Sequence, residues 1–318
     1  KKYNELIQSP GKPLINRVIA GQYPPGSTIK PFMGLVALEQ GIIDPEKLVY
    51  CNGAYILGKH KRPFRCWKKE GHGKANLSFA ITQSCDVFFY RVSELTGIDV
   101  ISENLYKYGF GNKTYIDLHG EKPGLIPDRA WKSKTKQLPW YPGETLNIGI
   151  GQGYFLATPM QLTLGTSVLA GDGKTYLPHL LLGSKDKTSG EFSGYEHSEN
   201  KFEATIEDLD YLDIIQHAMW RVVNEKGVGT ASHLGRIGGV EIAGKTGTAQ
   251  VYNLDKGKTG TKKLQDHALF ISYAPFNNPE IVVTVVVENG GSGSGTAAPI
   301  AKSIIKYYFK NQKQASLK

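Results

Sequence analysis

The sequence predicts an α/β chain in which helices flank an antiparallel sheet. Two observations carry this. Apolar residues recur at helical spacing through several segments up to about residue 225, and the C-terminal third then switches to β-branched runs that close on a helix. No internal repeat is visible.

Residues 28–40 form the first helix, with Pro31 in its first turn, where a missing N–H does little harm, and Gly41 placed to end it. Residues 77–96 make a second apolar helix that stops before Gly97, and residues 159–170 a third that runs into Gly171-Asp172-Gly173. A fourth covers about 207–225, with Leu209, Leu212, Ile215, Met219 and Val222 on one face. Strands follow at 240–251, 268–274 and 281–288. A glycine-rich loop, 289–295, leads into a last helix at about 297–310, where Tyr307-Tyr308-Phe309 is expected to pack the core and the helix end. The polar stretch 184–204 reads as an exposed excursion.

With 318 residues, the chain can bury a sizeable core. No run of about 18 apolar residues occurs, so nothing in it spans a membrane as a helix. It opens on Lys1-Lys2-Tyr3 without a starting Met and reads as a fragment whose missing N-terminal part carries the targeting signal. The net charge of +9 is scattered. Its clusters, Lys132-Lys134-Lys136 and Lys256-Lys258-Lys262-Lys263, fall in loop-like segments without a nucleic-acid-binding motif, so no nucleic-acid partner is expected. Gly149-Ile150-Gly151-Gln152-Gly153 has the wrong spacing for a dinucleotide loop.

Three short motifs point to serine chemistry. Ser27-Thr28-Ile29-Lys30 sits at a helix start, where residues three apart share a face and an amine can take the serine's proton. Ser84-Cys85-Asp86 lies in the second helix, and Lys245-Thr246-Gly247-Thr248 on the first C-terminal strand. Their order and contexts match the trio Ser-x-x-Lys, Ser-Asp-Asn and Lys-Thr-Gly. Lys258-Thr259-Gly260-Thr261 repeats the third motif, but its charged, glycine-bearing surroundings read as a turn.

With the motifs placed, the chain resembles the class B penicillin-binding proteins over nearly its whole length, and within them the penicillin-binding protein 2 branch of the Gram-negative rod-shape elongation machinery. Tyr23-Pro24-Pro25-Gly26-Ser27-Thr28-Ile29-Lys30-Pro31, Trp67-Lys68-Lys69-Glu70-Gly71-His72-Gly73 and Trp140-Tyr141-Pro142-Gly143-Glu144-Thr145 carry the resemblance. Ile148-Gly149-Ile150-Gly151-Gln152-Gly153-Tyr154, followed by Ala157-Thr158-Pro159, extends it. The resemblance implies one β-lactamase/DD-transpeptidase-like domain spanning residues 1–318. It implies Ser27 as nucleophile on a D-Ala-D-Ala stem peptide, Lys30 as base and Ser84 as proton relay. Lys245 and Thr246 would hold the terminal carboxylate, Thr248 would help hold the substrate, and the N–H groups of Ser27 and Thr248 would form the oxyanion hole. Gly247 completes the strand motif. The implied ligands are stem peptides and β-lactams. The implied setting is the periplasmic face of the inner membrane, with a glycan polymerase and scaffold proteins of the elongation complex as partners. Asp86 stands where Asn is usual; a carboxylate there favours a protonated Lys30 unless other groups offset it.

Catalysis of this kind needs no cofactor. Cys51, Cys66, His72 and Cys85, however, form a closed structural zinc set, and some members of the resembled family bind zinc in this region. The irregular segment 51–76 is the kind of insertion that needs such a staple. Two alternatives stay open: a Cys51–Cys66 disulfide with Cys85 buried, or free thiols. The rival functions are a β-lactamase, for which no Glu-x-x-Leu-Asn stretch is present, a β-lactam sensor domain, and a scaffold with a dead site. Trp140-Tyr141 either binds ligand or packs a loop.

Overall fold

In the computed structural model, residues 2–59, 63–194, 201–237, 239–250 and 265–315 are described. The sheet that matters for the site has three antiparallel strands. Ile281–Val287 pairs with the middle strand His267–Ala274, which pairs with Ala243–Ala249. The strand bearing Lys245 is therefore an edge among the described residues, with Lys245 opposite Ile271 and Thr248 opposite Ala268. The β-branched run of Ile281–Val287 suits a pleated, packed surface.

The Ala298–Ala315 helix packs against the outer and middle strands. The helices Pro159–Ala170 and Leu209–Asn224 also pack on the sheet. Asp208 caps the second of these, and Thr158 with Gln161 forms a reciprocal cap on the first, satisfying N–H groups that a helix start leaves orphaned. Leu212, Ile215, Met219 and Val222 are buried as their spacing predicts, whereas Leu209 is exposed at the first turn. Lys30–Glu39 is the central helix, with Phe32, Met33, Leu35 and Val36 fully buried. Each such apolar side chain contributes about 1.5–3 kcal/mol. One apolar cluster runs through the helical group and the sheet.

Several details differ from the sequence-based expectation. The first helix starts as a 3-10 turn, Gly26–Ile29. The expected 77–96 helix is two helices, Leu77–Thr82 and Asp86–Thr96, broken at residues 83–85 where Ser84 takes φ +57°. An unbroken helix would have turned Ser84 away along its own axis; hydrophobic periodicity does not register a break of this length. The Lys132-Lys134-Lys136 cluster is helical, Arg129–Lys136, and Lys132 is buried against Glu144 at 2.6 Å. Tyr307 is exposed rather than packed, while Phe309 packs against the core. The 184–204 excursion carries short strands, Gly183–Lys185, Phe192–Gly194 and Lys201–Glu203. The second Lys-Thr-Gly-Thr copy, at 258–261, lies outside the described residues.

Candidate active site

Ser27 sits on the 3-10 turn, and Lys30 follows as the first residue of the central helix. At three residues per turn, positions three apart eclipse, so both side chains leave on one face. The turn is held from outside. Gly26, at φ +54°, donates its N–H to the Gly151 carbonyl at 2.8 Å. A Cβ at Gly26 would lie 2.6 Å from the Thr248 carbonyl oxygen, and one at Gly151 would lie 2.2 Å from the Gly26 carbonyl oxygen. Only glycines let the Ser27 turn, the 149–153 loop and the Lys-Thr-Gly strand approach so closely.

Lys30 is fully buried and directs its amine to three acceptors: the Ser84 carbonyl at 2.8 Å, Ser84 Oγ at 3.2 Å and Asp86 Oδ1 at 2.7 Å. The break between the two helices makes this possible, because it presents both the carbonyl and the hydroxyl of Ser84 to one amine. The other Asp86 oxygen accepts the Trp67 backbone N–H at 2.9 Å, and the Trp67 indole donates to the Ser84 carbonyl at 3.1 Å. Removing one partner of a buried pair of this kind is costly, about 3–5 kcal/mol.

Across the cavity stands the Lys-Thr-Gly strand. The Thr246 hydroxyl pairs with that of Thr230 at 2.9 Å, and Ser294 Oγ donates to the Thr230 carbonyl at 2.7 Å. Thr246, Gly247 and Thr248 line the cavity, but Lys245 is fully buried behind it, with its amine 3.1 Å from the Thr246 carbonyl. Burial first, and then the charge of Lys30, holds the Lys245 amine well below the ordinary lysine range.

These elements enclose a cavity of about 570 Å³ lined by Ser27, Ser84, Asp86, Thr246, Gly247 and Thr248. A larger depression, about 660 Å³, lies between Ile42 and Leu95 and contains no motif residue, so its size does not make it the site. The motif cavity also gathers Arg65, Trp67, Tyr90, Gln152, Thr230 and Ser294, none of which the sequence singled out as site residues. For Gln152 a signal existed: the crowded glycines around it are the loop that docks on Gly26, and Gln152 Nε2 donates to the Thr248 carbonyl at 3.1 Å. Thr230 had no signal of its own. Trp140 and Tyr141 pack a loop: the indole donates to Thr145 Oγ1 at 2.8 Å, and the Tyr141 ring lies 4.2 Å from the Lys132 amine.

Cys51, Cys66, His72 and Cys85 converge on one point, their ligand atoms all within 4.8 Å of one another, and the three cysteines are free. His72 Nδ1 lies 3.6 Å from Cys51 Sγ and 3.5 Å from Cys66 Sγ. Zinc–sulfur bonds of about 2.3 Å and zinc–nitrogen bonds of about 2.0–2.1 Å at a tetrahedral angle give an S···N edge of about 3.5–3.6 Å, so this donor set fits zinc. A hydrogen bond from the Cys85 thiol to the Cys66 sulfur pulls the Cys66 thiol down, and the same hydrogen bond with burial drives Cys85 up.

A serine facing the edge strand of an antiparallel sheet, with a lysine one turn on and a helix-break serine beside that lysine, defines the class of serine acyl-transferring enzymes that react with penicillin. Residues 1–306 match the penicillin binding protein transpeptidase domain, and the chain belongs to that family. It is 38% identical over 315 residues to Peptidoglycan D,D-transpeptidase MrdA of Salmonella typhimurium, covering 98% of this chain and 50% of that protein. The chain thus spans about half the length of the curated relatives it matches. Among solved structures, Pseudomonas aeruginosa PBP2 in complex with WCK 5153 superposes with a TM-score of 0.84 at 41% identity, over 96% of this chain and 63% of that one. Helicobacter pylori PBP2 in its complex with MreC gives 0.82 at 34% identity, over 96% and 53%.

Proposed function

We propose that this chain carries the peptidoglycan D,D-transpeptidase activity of a longer protein, with Ser27 as its nucleophile. One observation carries the reading: the amine of Lys30 lies 3.2 Å from Ser84 Oγ, and Ser84 and Ser27 line one cavity. In the first step Ser27 Oγ attacks the carbonyl carbon between the two D-alanines while its proton passes to the Lys30 amine, which acts in its neutral form after releasing the proton of its ion pair with Asp86. The C–N bond breaks, the proton reaches the leaving D-alanine through Ser84, and an ester remains on Ser27. In the second step the amine of a neighbouring stem peptide attacks that ester, freeing Ser27 and forming the cross-link. N–H groups of Ser27 and Thr248 stabilise the tetrahedral oxyanion, each worth about 2.7–4 kcal/mol. Thr246 and Thr230 present the hydroxyls for the terminal carboxylate, with Lys245 behind them.

Cys51, Cys66, His72 and Cys85 would hold a structural zinc ion, whose charge balances thiolates that burial otherwise disfavours. No helix among the described residues is long and apolar enough to cross a membrane. The work site of such an enzyme is the periplasmic face of the inner membrane, reached through a segment outside this sequence. The Helicobacter pylori relative's complex with MreC supports a scaffold partner, and the likeness to a peptidoglycan synthase complex supports a glycan polymerase partner.

Intact mass after mixing with benzylpenicillin tests the activity, with Ser27→Ala alongside. One stable adduct per chain, absent from the variant, is expected. An adduct that disappears within seconds while drug is consumed means a β-lactamase, and no adduct, even with added zinc, removes the reading.

A further inference from the structure

Among the cavity-lining residues, Arg65 carries a charge that the proposed acyl transfer does not use. Its backbone is fixed on every side. Arg65 pairs with Ala54 in a short antiparallel ladder, and its carbonyl accepts the Tyr90 hydroxyl at 3.2 Å. The next residue, Cys66, donates its N–H to the Gly53 carbonyl at 2.9 Å and belongs to the Cys/His cluster. Trp67, one further on, is tied to Asp86. The Phe64 ring on the other side packs edge-on against Tyr90 at 5.5 Å.

Despite this framework the Arg65 side chain is exposed, and among the described residues no ion pair holds its guanidinium. The other basic groups of the site are accounted for. Lys30 is paired with Asp86, and Lys245 is buried behind the strand. The acidic wall residues Asp86 and Asp266 have interactions of their own. Arg65 is thus a planar, bidentate donor on a fixed stretch of backbone that lines the same cavity as Ser27, with no ion-pair partner among the described residues.

We propose that Arg65 is a specificity residue that binds a carboxylate on the donor peptide residue immediately preceding the two D-alanines. This rests on the acyl-transfer reading of Ser27. The terminal carboxylate belongs at the Thr246 wall, so a second carboxylate reaching the wall of Arg65, Trp67 and Tyr90 comes from the peptide upstream of the scissile bond. A guanidinium on a fixed stretch of backbone gains a charge-assisted bond on binding such a carboxylate.

The test compares two synthetic thioester donors ending in D-Ala-thioglycolate, identical except that the preceding residue bears a free side-chain carboxylate or its carboxamide. Acylation rates are measured for the parent chain, Arg65→Gln and Arg65→Lys. The parent should favour the carboxylate donor by about 10- to 100-fold, the scale of one hydrogen bond to a charged group. Arg65→Gln should lose that preference by slowing the carboxylate donor alone, and Arg65→Lys, which keeps charge but not the fork, should retain part of it. Equal rates for the two donors on the parent, or equal slowing of both by Arg65→Gln, overturn the proposal. If Arg65→Gln proves misfolded by failing to take up benzylpenicillin, the Arg65→Lys comparison decides in the same way. A parent chain that takes up no benzylpenicillin overturns the Ser27 reading itself, a result distinguishable from either.

Discussion

The backbone N–H of Trp67 donates to Oδ2 of Asp86 at 2.9 Å, and Asp86 uses its other oxygen to hold Lys30 at 2.7 Å. Trp67 directly follows Cys66, and Asp86 directly follows Cys85, so two members of the Cys/His cluster flank this bond. On the proposed zinc site, stripping the metal with a chelator should therefore slow benzylpenicillin acylation as well as lower the melting temperature. Cys66→Ser should do the same. Unchanged acylation after verified metal loss would sink the coupling while leaving the metal site intact.

Lys30→Met should reduce acylation by about 10²–10⁴-fold, the usual contribution of a positioned proton acceptor. Asp86→Ala should be costly in another currency: it leaves the buried Lys30 ammonium without its counter-ion, and urea unfolding should report about 3–5 kcal/mol. A loss below about 1 kcal/mol would mean that Lys30 does not depend on Asp86 for its charge balance.

Lys245 gives a pH signature. Unfolded, it keeps its proton up to about pH 10.4; buried, it releases it at lower pH. Between those two values the unfolded chain binds the extra proton, so stability rises with pH across that window and is lost as pH falls through it. Against Lys245→Met, the parent should be relatively least stable near neutrality and gain on the variant as pH climbs towards 10. Parallel stability curves from pH 7 to 9.5 would show that the amine is not desolvated.

Gly151→Ala places a methyl 2.2 Å from the Gly26 carbonyl oxygen at a residue with φ +71°. Left-handed backbone alone costs a non-glycine residue about 1–2 kcal/mol. The clash must also move the turn that carries Ser27, and a shift of about 1 Å at a reacting group costs on the order of 10²-fold in rate. Acylation should therefore fall further than the melting temperature suggests. A variant that is destabilised yet acylates at the parent's rate would show that the glycine contact does not position Ser27.

The helix Leu209–Asn224 was legible because it buries one face, which leaves a period in the sequence. Lys30–Glu39 and Pro159–Ala170 are buried nearly throughout and were legible from apolar run length and flanking Pro and Gly, and the strands from their apolar and β-branched runs. The three motifs were legible because acyl transfer by a serine needs a small set of groups at fixed local spacing. Those local facts determined the fold class and the family, and they single out Ser27 as the proposed nucleophile.

Tertiary structure alone decided the rest. Ser84 lies in a helix break because the chain must present its carbonyl and hydroxyl to an amine 54 positions earlier in sequence, a demand no local pattern records. Arg65, Trp67 and Thr230 reach the cavity only through the packing of segments distant in the chain. Whether Lys245 faces ligand or core depends on what lies behind its strand, and there the sheet and helices leave no water. Periodicity and spacing report on a residue's own segment, whereas desolvation and convergence are properties of the assembled molecule.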